Sequence, residues 1–185
     1  TLSTDPDYET QSAYSFTVVA SDGINPDVQQ ALTLDINDLD EIAATITSVA
    51  TVDAINENSG SQVIYTASAD DSLDISAGVT FSLSSDSDAA LSIDSATGAV
   101  SLNADPNYEA QSEYSFTVLA SDGVNPAVEQ SLTLAINDLD EVAPTITSTD
   151  SIIVTEGAVG ELYAATADDS SDISAGVTFS LTGDS

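Results

Sequence analysis

The chain has 185 residues, of which 32 are Asp or Glu and none is Lys, Arg or His, so its formal net charge is −32 and no side-chain salt bridge can form. Nucleic acid is a poor partner and direct membrane binding is not expected, because both rest on basic side chains that neutralise phosphates. Cysteine is absent as well, which removes disulfides, thiolate catalysis and Cys-type zinc sites.

Acidic chains with few aromatics are usually disordered, yet 42% of these residues are hydrophobic and many sit in β-branched runs, which implies a folded chain. No apolar run approaches the roughly 20 residues of a membrane helix.

Residues 1–41 align without gaps on 101–141, with 29 of 41 positions identical. The stretch "DDSLDISAGVTFSL" returns 98 residues later as "DDSSDISAGVTFSL", so a two-residue deletion lies near "INENSGS" and "TEGAVG". A unit of about 100 residues matches one small all-β domain per repeat rather than a solenoid. A boundary after "INDLDE" predicts the C-terminal part of one domain (1–41), a complete domain (42–141) and the N-terminal part of the next (142–185).

In chain order, the complete unit is expected to carry strands around 44–49, at 61–69, 78–84, 90–94, 98–103, 112–121 and 128–136. Turn chemistry in "DSDA", "SATG" and "SDGVNPA" separates them. Alternation is clearest where Tyr114, Phe116 and Val118 are separated by Ser115 and Thr117, so one face is buried and one is wet. About seven strands suit a Greek-key β-sandwich. Tyr65, Phe81, Tyr114 and Phe116 fall on strands and are expected in the core. Asp94 and Gly98 in "DSATG" read as a turn, with Asp supplying local hydrogen bonds and Gly the positive φ.

The acids gather at Glu57 in "NEN", at Glu109 beside Asn107 in "NYE", at Asp122 in "ASDG", at Asp138, Asp140 and Glu141 in "DLDE", and at Asp70, Asp71 and Asp74 in "DDSLD". All but "DLDE" lie at ends of predicted strands, and "DLDE" is the boundary itself.

With those motifs in that order, the sequence resembles the cadherin family, and more closely the cadherin-like repeats of large bacterial RTX-type surface adhesins. Glu57 matches the family's first Glu motif, and Glu156 stands in its place one repeat on. Asp7-Tyr8-Glu9 and Asn107-Tyr108-Glu109 match the Asp-Arg-Glu-like motif. Asp22 and Asp122 match the single Asp of the last motif. Counting back from Pro144 makes Asp138-Leu-Asp-Glu-Val-Ala-Pro the linker, with Asp140 and Glu141 at the family's Asn and Asp positions. The family's Asp-x-Asp motif has an extra residue here, reading Asp71-Ser-Leu-Asp74 and Asp169-Ser-Ser-Asp172. Asn107 replaces Asp7, and Ala44 stands where the second linker has Pro144.

The resemblance implies tandem seven-stranded sandwiches with calcium at each junction. The first junction would gather Asp7, Glu9, Asp38, Asp40, Glu41, Asp71, Asp74 and Asp122. The second would gather Glu57, Asn107, Glu109, Asp138, Asp140, Glu141, Asp169 and Asp172. Two or three Ca²⁺ ions per junction suit such a set, since calcium takes 6 to 8 oxygen ligands.

The implied role is a calcium-stiffened extender in an extracellular, cell-surface adhesin, with neighbouring repeats of the chain as its partners. The alternative is that a repeat itself binds a like domain or a surface glycan. Catalysis is not expected. Paired carboxylates need a sugar cleft to cleave glycosides, and the few Tyr and Phe residues are wanted for the core.

Overall fold

The computed structural model of the chain describes residues 2–183, and among them every regular element is a β-strand. Two strands come first, β1 (Ala13–Ala20) and β2 (Val28–Asp35), paired as an antiparallel hairpin from Ala13↔Asp35 to Ala20↔Val28.

The middle of the chain forms a two-layer sandwich. One layer has the order β4 (Ile55–Asn56), β11 (Val128–Asn137), β10 (Glu113–Ser121), β7 (Thr80–Leu83). The other has the order β5 (Gln62–Thr66), β9 (Ala99–Leu102), β8 (Leu91–Ile93). A short antiparallel pair, β3 (Thr45–Ile46) with β6 (Ala69–Asp70), extends it. The pair β12 (Thr145–Ile146) and β13 (Ala167–Asp168) repeats that last feature beyond Glu141.

The alternation of β10 is reproduced in its side chains. Tyr114, Phe116, Val118 and Ala120 are buried and the intervening residues are not. They meet Leu132, Leu134 and Ile136 of β11, and Tyr65, Phe81, Leu91, Val100 and Leu102 close the core. Tyr65 and Phe116 pack edge to face with ring centroids 6.2 Å apart, a favoured aromatic geometry. The Tyr65 hydroxyl lies 2.7 Å from each of Ser48 Oγ, Val49 O and Gln130 Oε1, which ties the segment before β4 to both layers.

The four aromatics expected inside are there. The expected strand at 61–69 divides into β5 and β6, and β4 arises where sequence alternation is too short to read. β4 pairs in parallel with the end of β11, through Ile55↔Ile136 and Asn56↔Asn137. That pairing carries Glu57, the next residue, to the end of the sandwich.

The "DSATG" turn forms as its chemistry dictates. Asp94 Oδ1 accepts the amides of Ala96 and Thr97 at 3.0 and 2.8 Å. Gly98 has φ 70°, and a Cβ there would stand 2.4 Å from the Ala67 carbonyl oxygen, so glycine is required on two counts.

Candidate metal centre

Each acidic motif is aimed by its local backbone. The segments after Asp7 and Asn107 make one helical turn each, with the amide of Gln11 donating to Asp7 O at 2.9 Å and that of Gln111 to Asn107 O at 3.0 Å. The side chains of Asp7 and Asn107 cap those turns, accepting from Thr10 N at 2.9 Å and Ala110 N at 2.7 Å. The turn presents Glu9 and Glu109 toward the linkers.

Asp122 closes a second kind of turn. Its Oδ1 accepts the amides of Val124 and Asn125, both at 2.8 Å, and its Oδ2 faces the Ala44 amide at 3.4 Å. The loops after β6 and β13 supply a third. Asp74 Oδ2 accepts the Glu41 amide at 3.0 Å, and Asp172 Oδ2 accepts the Glu141 amide at 2.7 Å. The segment around Asp74 is thus bonded to Glu41, and that around Asp172 to Glu141, in the same way twice.

Glu57 is 1% exposed. Its Oε2 accepts the Tyr108 amide at 2.9 Å and its Oε1 the Leu139 amide at 2.7 Å. One carboxylate therefore joins β4, the turn of residues 107–110 and the linker.

Among the described residues, these loops bring carboxylates together in three places. Glu9, Asp38 and Asp74 each offer an oxygen within 4.8 Å of the others, as do Asp40, Asp71 and Asp122, and Glu57, Glu109 and Asp138. Two oxygens in them, Asp38 Oδ1 and Asp138 Oδ1, are buried without a hydrogen-bond partner. Buried polar atoms are rarely left so, and the chain has no Lys, Arg or His to serve them. An all-oxygen, carboxylate-rich donor set with orphaned acceptors fits a hard divalent cation such as Ca²⁺.

The family model for the cadherin domain matches residues 42–137, just over half of the chain. This chain belongs to the cadherin domain family. Cadherin domains are adhesion modules rather than enzymes. Over 158 residues the chain is 26% identical to the protocadherin-like wing polarity protein stan of Drosophila melanogaster, covering 80% of this chain and 4% of that protein. Among solved structures it is similar to mouse cadherin-23 EC22-24, with TM-score 0.58 and 22% identity over 77% of this chain and 48% of that one. It is also similar to protocadherin gamma B2 extracellular cadherin domains 3–6, with TM-score 0.53 and 22% identity over 76% and 36% of the two chains. The chain thus spans less than half of each of these cadherins, and the structural likenesses speak for the fold.

The electrostatics of these acidic groups follow from the crowding. Burial raises Asp138 from the ordinary Asp value, and the charges of Asp172, Glu57 and Asp140 act in the same direction. A hydrogen bond from its own backbone opposes the rise at Glu109, but loss of solvent and the charges of Glu57, Asp138 and Asp172 outweigh it. Glu9 is raised in the same way, with Asp38 and Asp74 as its charged neighbours. Amide donors act oppositely: those of Val124 and Asn125 hold Asp122 down, and that of Glu141 holds Asp172 down.

Of the residues singled out from the sequence, Glu9, Asp38, Asp40, Glu57, Asp71, Asp74, Glu109, Asp122 and Asp138 lie in the three groups. Asp172 faces Asp138 and Glu109 closely enough to raise both. The Glu141 carboxylate accepts the Asn58 side-chain amide, and Asp138 lies with Glu57 and Glu109. Glu41 and Glu141 meet the opposite loops through their backbone amides. Asp7 and Asn107 act as turn caps, and Asp169 accepts the Ser174 hydroxyl. Asp22 repeats the Asp122 turn, with Asn25 holding its carboxyl at about 2. Asp140 and Glu156 are exposed and outside the groups.

Two asparagines escaped the sequence reading. Asn125 Nδ2 donates to Asp40 Oδ1 at 2.8 Å and lies 3.2 Å from Asp122 Oδ2, bridging linker and loop. Its retention in both "SDGINP" and "SDGVNP" was the available signal. Asn58 adopts φ 56°, and its amide donates to Pro106 O at 2.9 Å. Asparagine is among the few non-glycine residues that favour this conformation.

Proposed function

We propose that the chain is a stretch of a tandem cadherin array, divided at residues 41/42 and 141/142, whose junctions bind Ca²⁺ and are stiffened by it. The array belongs to a long extracellular adhesin of the bacterial RTX type, and its repeats hold a distal binding region away from the cell surface. Glu9, Asp38 and Asp74 would hold one cation at the first junction and Asp40, Asp71 and Asp122 a second. Glu57, Glu109, Asp138 and Asp172 would do so at the next, with two or three ions in a complete junction.

Bound Ca²⁺ supplies the positive charge the chain lacks and links oxygens from two repeats and the linker between them. The residues do the rest. Glu57 locks the linker to the sandwich through Leu139, Asp74 and Asp172 tie the following loop to Glu41 and Glu141, and Asn125 holds Asp40 against Asp122. The observation that carries this reading is the pair of buried, unpartnered oxygens, Asp38 Oδ1 and Asp138 Oδ1, at equivalent places in the two linkers.

Calorimetric titration of Ca²⁺ into the chain tests it. Saturable binding of more than one ion per chain is expected, with Mg²⁺ binding much more weakly because it gives up its waters reluctantly. Absence of saturable Ca²⁺ binding would refute it.

A further inference from the structure

Among the described residues, Asn125 carries the one side-chain N–H that reaches any of the three carboxylate groups. The chain has no Lys, Arg, His or Trp, so the only side-chain nitrogens it can offer its acids are those of Asn and Gln.

The turn that holds Asn125 is built twice. Asp122 Oδ1 accepts the amides of Val124 and Asn125, both at 2.8 Å, and Asp22 Oδ1 accepts those of Ile24 and Asn25 at 3.0 and 2.8 Å. In each copy the asparagine Nδ2 lies beside the aspartate's other oxygen, at 3.2 Å for Asn125 and 2.7 Å for Asn25. The turn itself therefore places the asparagine side chain. From that place Asn125 Nδ2 also donates to Asp40 Oδ1 at 2.8 Å, across 85 residues of sequence.

Two carboxylates are thus joined with no cationic side chain between them. The two hydrogens of Nδ2 can answer one oxygen of each, and bonds to ionised acceptors are the stronger kind. The same geometry creates a conflict. Asp122 Oδ1 is occupied by two backbone amides, so Oδ2 is the oxygen it can offer to the group it forms with Asp40 and Asp71. Nδ2 faces that oxygen.

We propose that the Asn125 amide is a latch that holds Asp40 to the Asp122 turn when no cation is bound, and that it sets the Ca²⁺ threshold of this group, because it must give up Asp122 Oδ2 to admit an ion. The latch stands without the calcium reading, and the threshold rests on it. A contact that stabilises only the cation-free form lowers the apparent affinity for the cation. Among the described residues the bonds of the Asn125 amide reach none before Asp40, so the latch leaves the stiffness of the junction to the cation.

Nuclear magnetic resonance of the ¹⁵N-labelled chain, together with calorimetric Ca²⁺ titration, tests both halves on Asn125→Ala. The variant keeps the backbone amides that close the turn, so its circular dichroism should match the parent's. In chelator the order parameter of the Asp40 amide should fall measurably from the rigid range, about 0.85. In Ca²⁺ the variant should bind one ion about three- to tenfold more tightly than the parent, the scale of one modest hydrogen bond. A residue that merely supported the turn would weaken binding when removed, so a gain in affinity separates the two roles. Asn125→Asp, which has no donor and adds a fourth carboxylate, should move both readings further in the same directions. An Asp40 amide as ordered in the Asn125→Ala chain as in the parent would overturn the latch. Unchanged or weaker Ca²⁺ binding by that variant would overturn the threshold. A parent chain that binds no Ca²⁺ would overturn the calcium reading and the threshold together, and the order parameters in chelator would still decide the latch.

Discussion

Glu57 Oε1 accepts the backbone amide of Leu139 at 2.7 Å, across 82 residues of sequence. With the Tyr108 amide on its other oxygen, this buried side chain positions the linker and at the same time faces Glu109 and Asp138. It is both a structural acceptor and an unbalanced charge, and those roles separate by substitution.

Glu57→Ala should lower stability by about 2–3 kcal/mol, since it strands two amides that have lost their acceptor. Glu57→Gln removes the charge but keeps a single acceptor and turns its NH2 toward the other amide, so in chelator it should lose less stability than Glu57→Ala. Its deficit against the parent should widen in millimolar Ca²⁺. Thermal melts in both media test this, and a deficit of the same size in each would count against it.

Asp138→Asn should remove Ca²⁺ stoichiometry at the second junction, whereas Asp94→Ala should leave it intact. Asp138 sits with Glu57 and Glu109, and Asp94 is spent on the amides of a turn between β8 and β9. Calorimetric ion counts on the two variants distinguish them, and equal counts would remove Asp138 from the site.

Gly98→Ala should cost about 2–4 kcal/mol, combining a backbone conformation that L residues disfavour with a contact of 2.4 Å on the Ala67 carbonyl. Gly123→Ala has φ 89° but open space, and should cost about 1–2 kcal/mol. Urea unfolding of both measures the difference. A Gly123 variant as damaged as the Gly98 one would contradict the packing assigned to the turn.

The core was legible because β10 and β11 are long enough to show period-two alternation, and because the same aromatics return one hundred residues apart. β4 was not legible, since two residues carry no period and their pairing depends on Ile136 and Asn137 far along the chain. The acids could be sorted by motif, but not by orientation. Which linker acid turns inward depends on the amides that Leu139 and Glu141 offer to Glu57 and Asp172, and the proline count could not report that. Asn58 was hidden for the same reason, because its role follows from a left-handed backbone rather than from its side chain.

Without a cation, stability should fall on both sides of the ordinary carboxylate range. Asp138, Glu109 and Glu9 have raised pKa values, so their folded forms hold protons more tightly. Their contribution is present below the unfolded pKa and is lost as pH rises through the folded one. Asp122, Asp172 and Asp22 are lowered, so theirs is present above the unfolded pKa and is lost as pH falls through the folded one. Melting temperature in chelator should therefore peak near pH 4–5, around the unperturbed Asp and Glu values. Asp138→Asn together with Glu109→Gln should flatten the alkaline side. An alkaline limb unchanged in that double variant would place the repulsion elsewhere.

The central claim is that cations at crowded carboxylates set the stiffness of the junction while the sandwich folds without them, chiefly on apolar burial. Small-angle scattering from a polypeptide of three or more tandem repeats, with and without Ca²⁺, tests it most directly. A long, narrow particle in Ca²⁺ that gives way to a broad distribution of shorter distances in chelator, with circular dichroism unchanged, is the predicted result. A maximum dimension and distance distribution that stay the same when Ca²⁺ is removed would contradict the account.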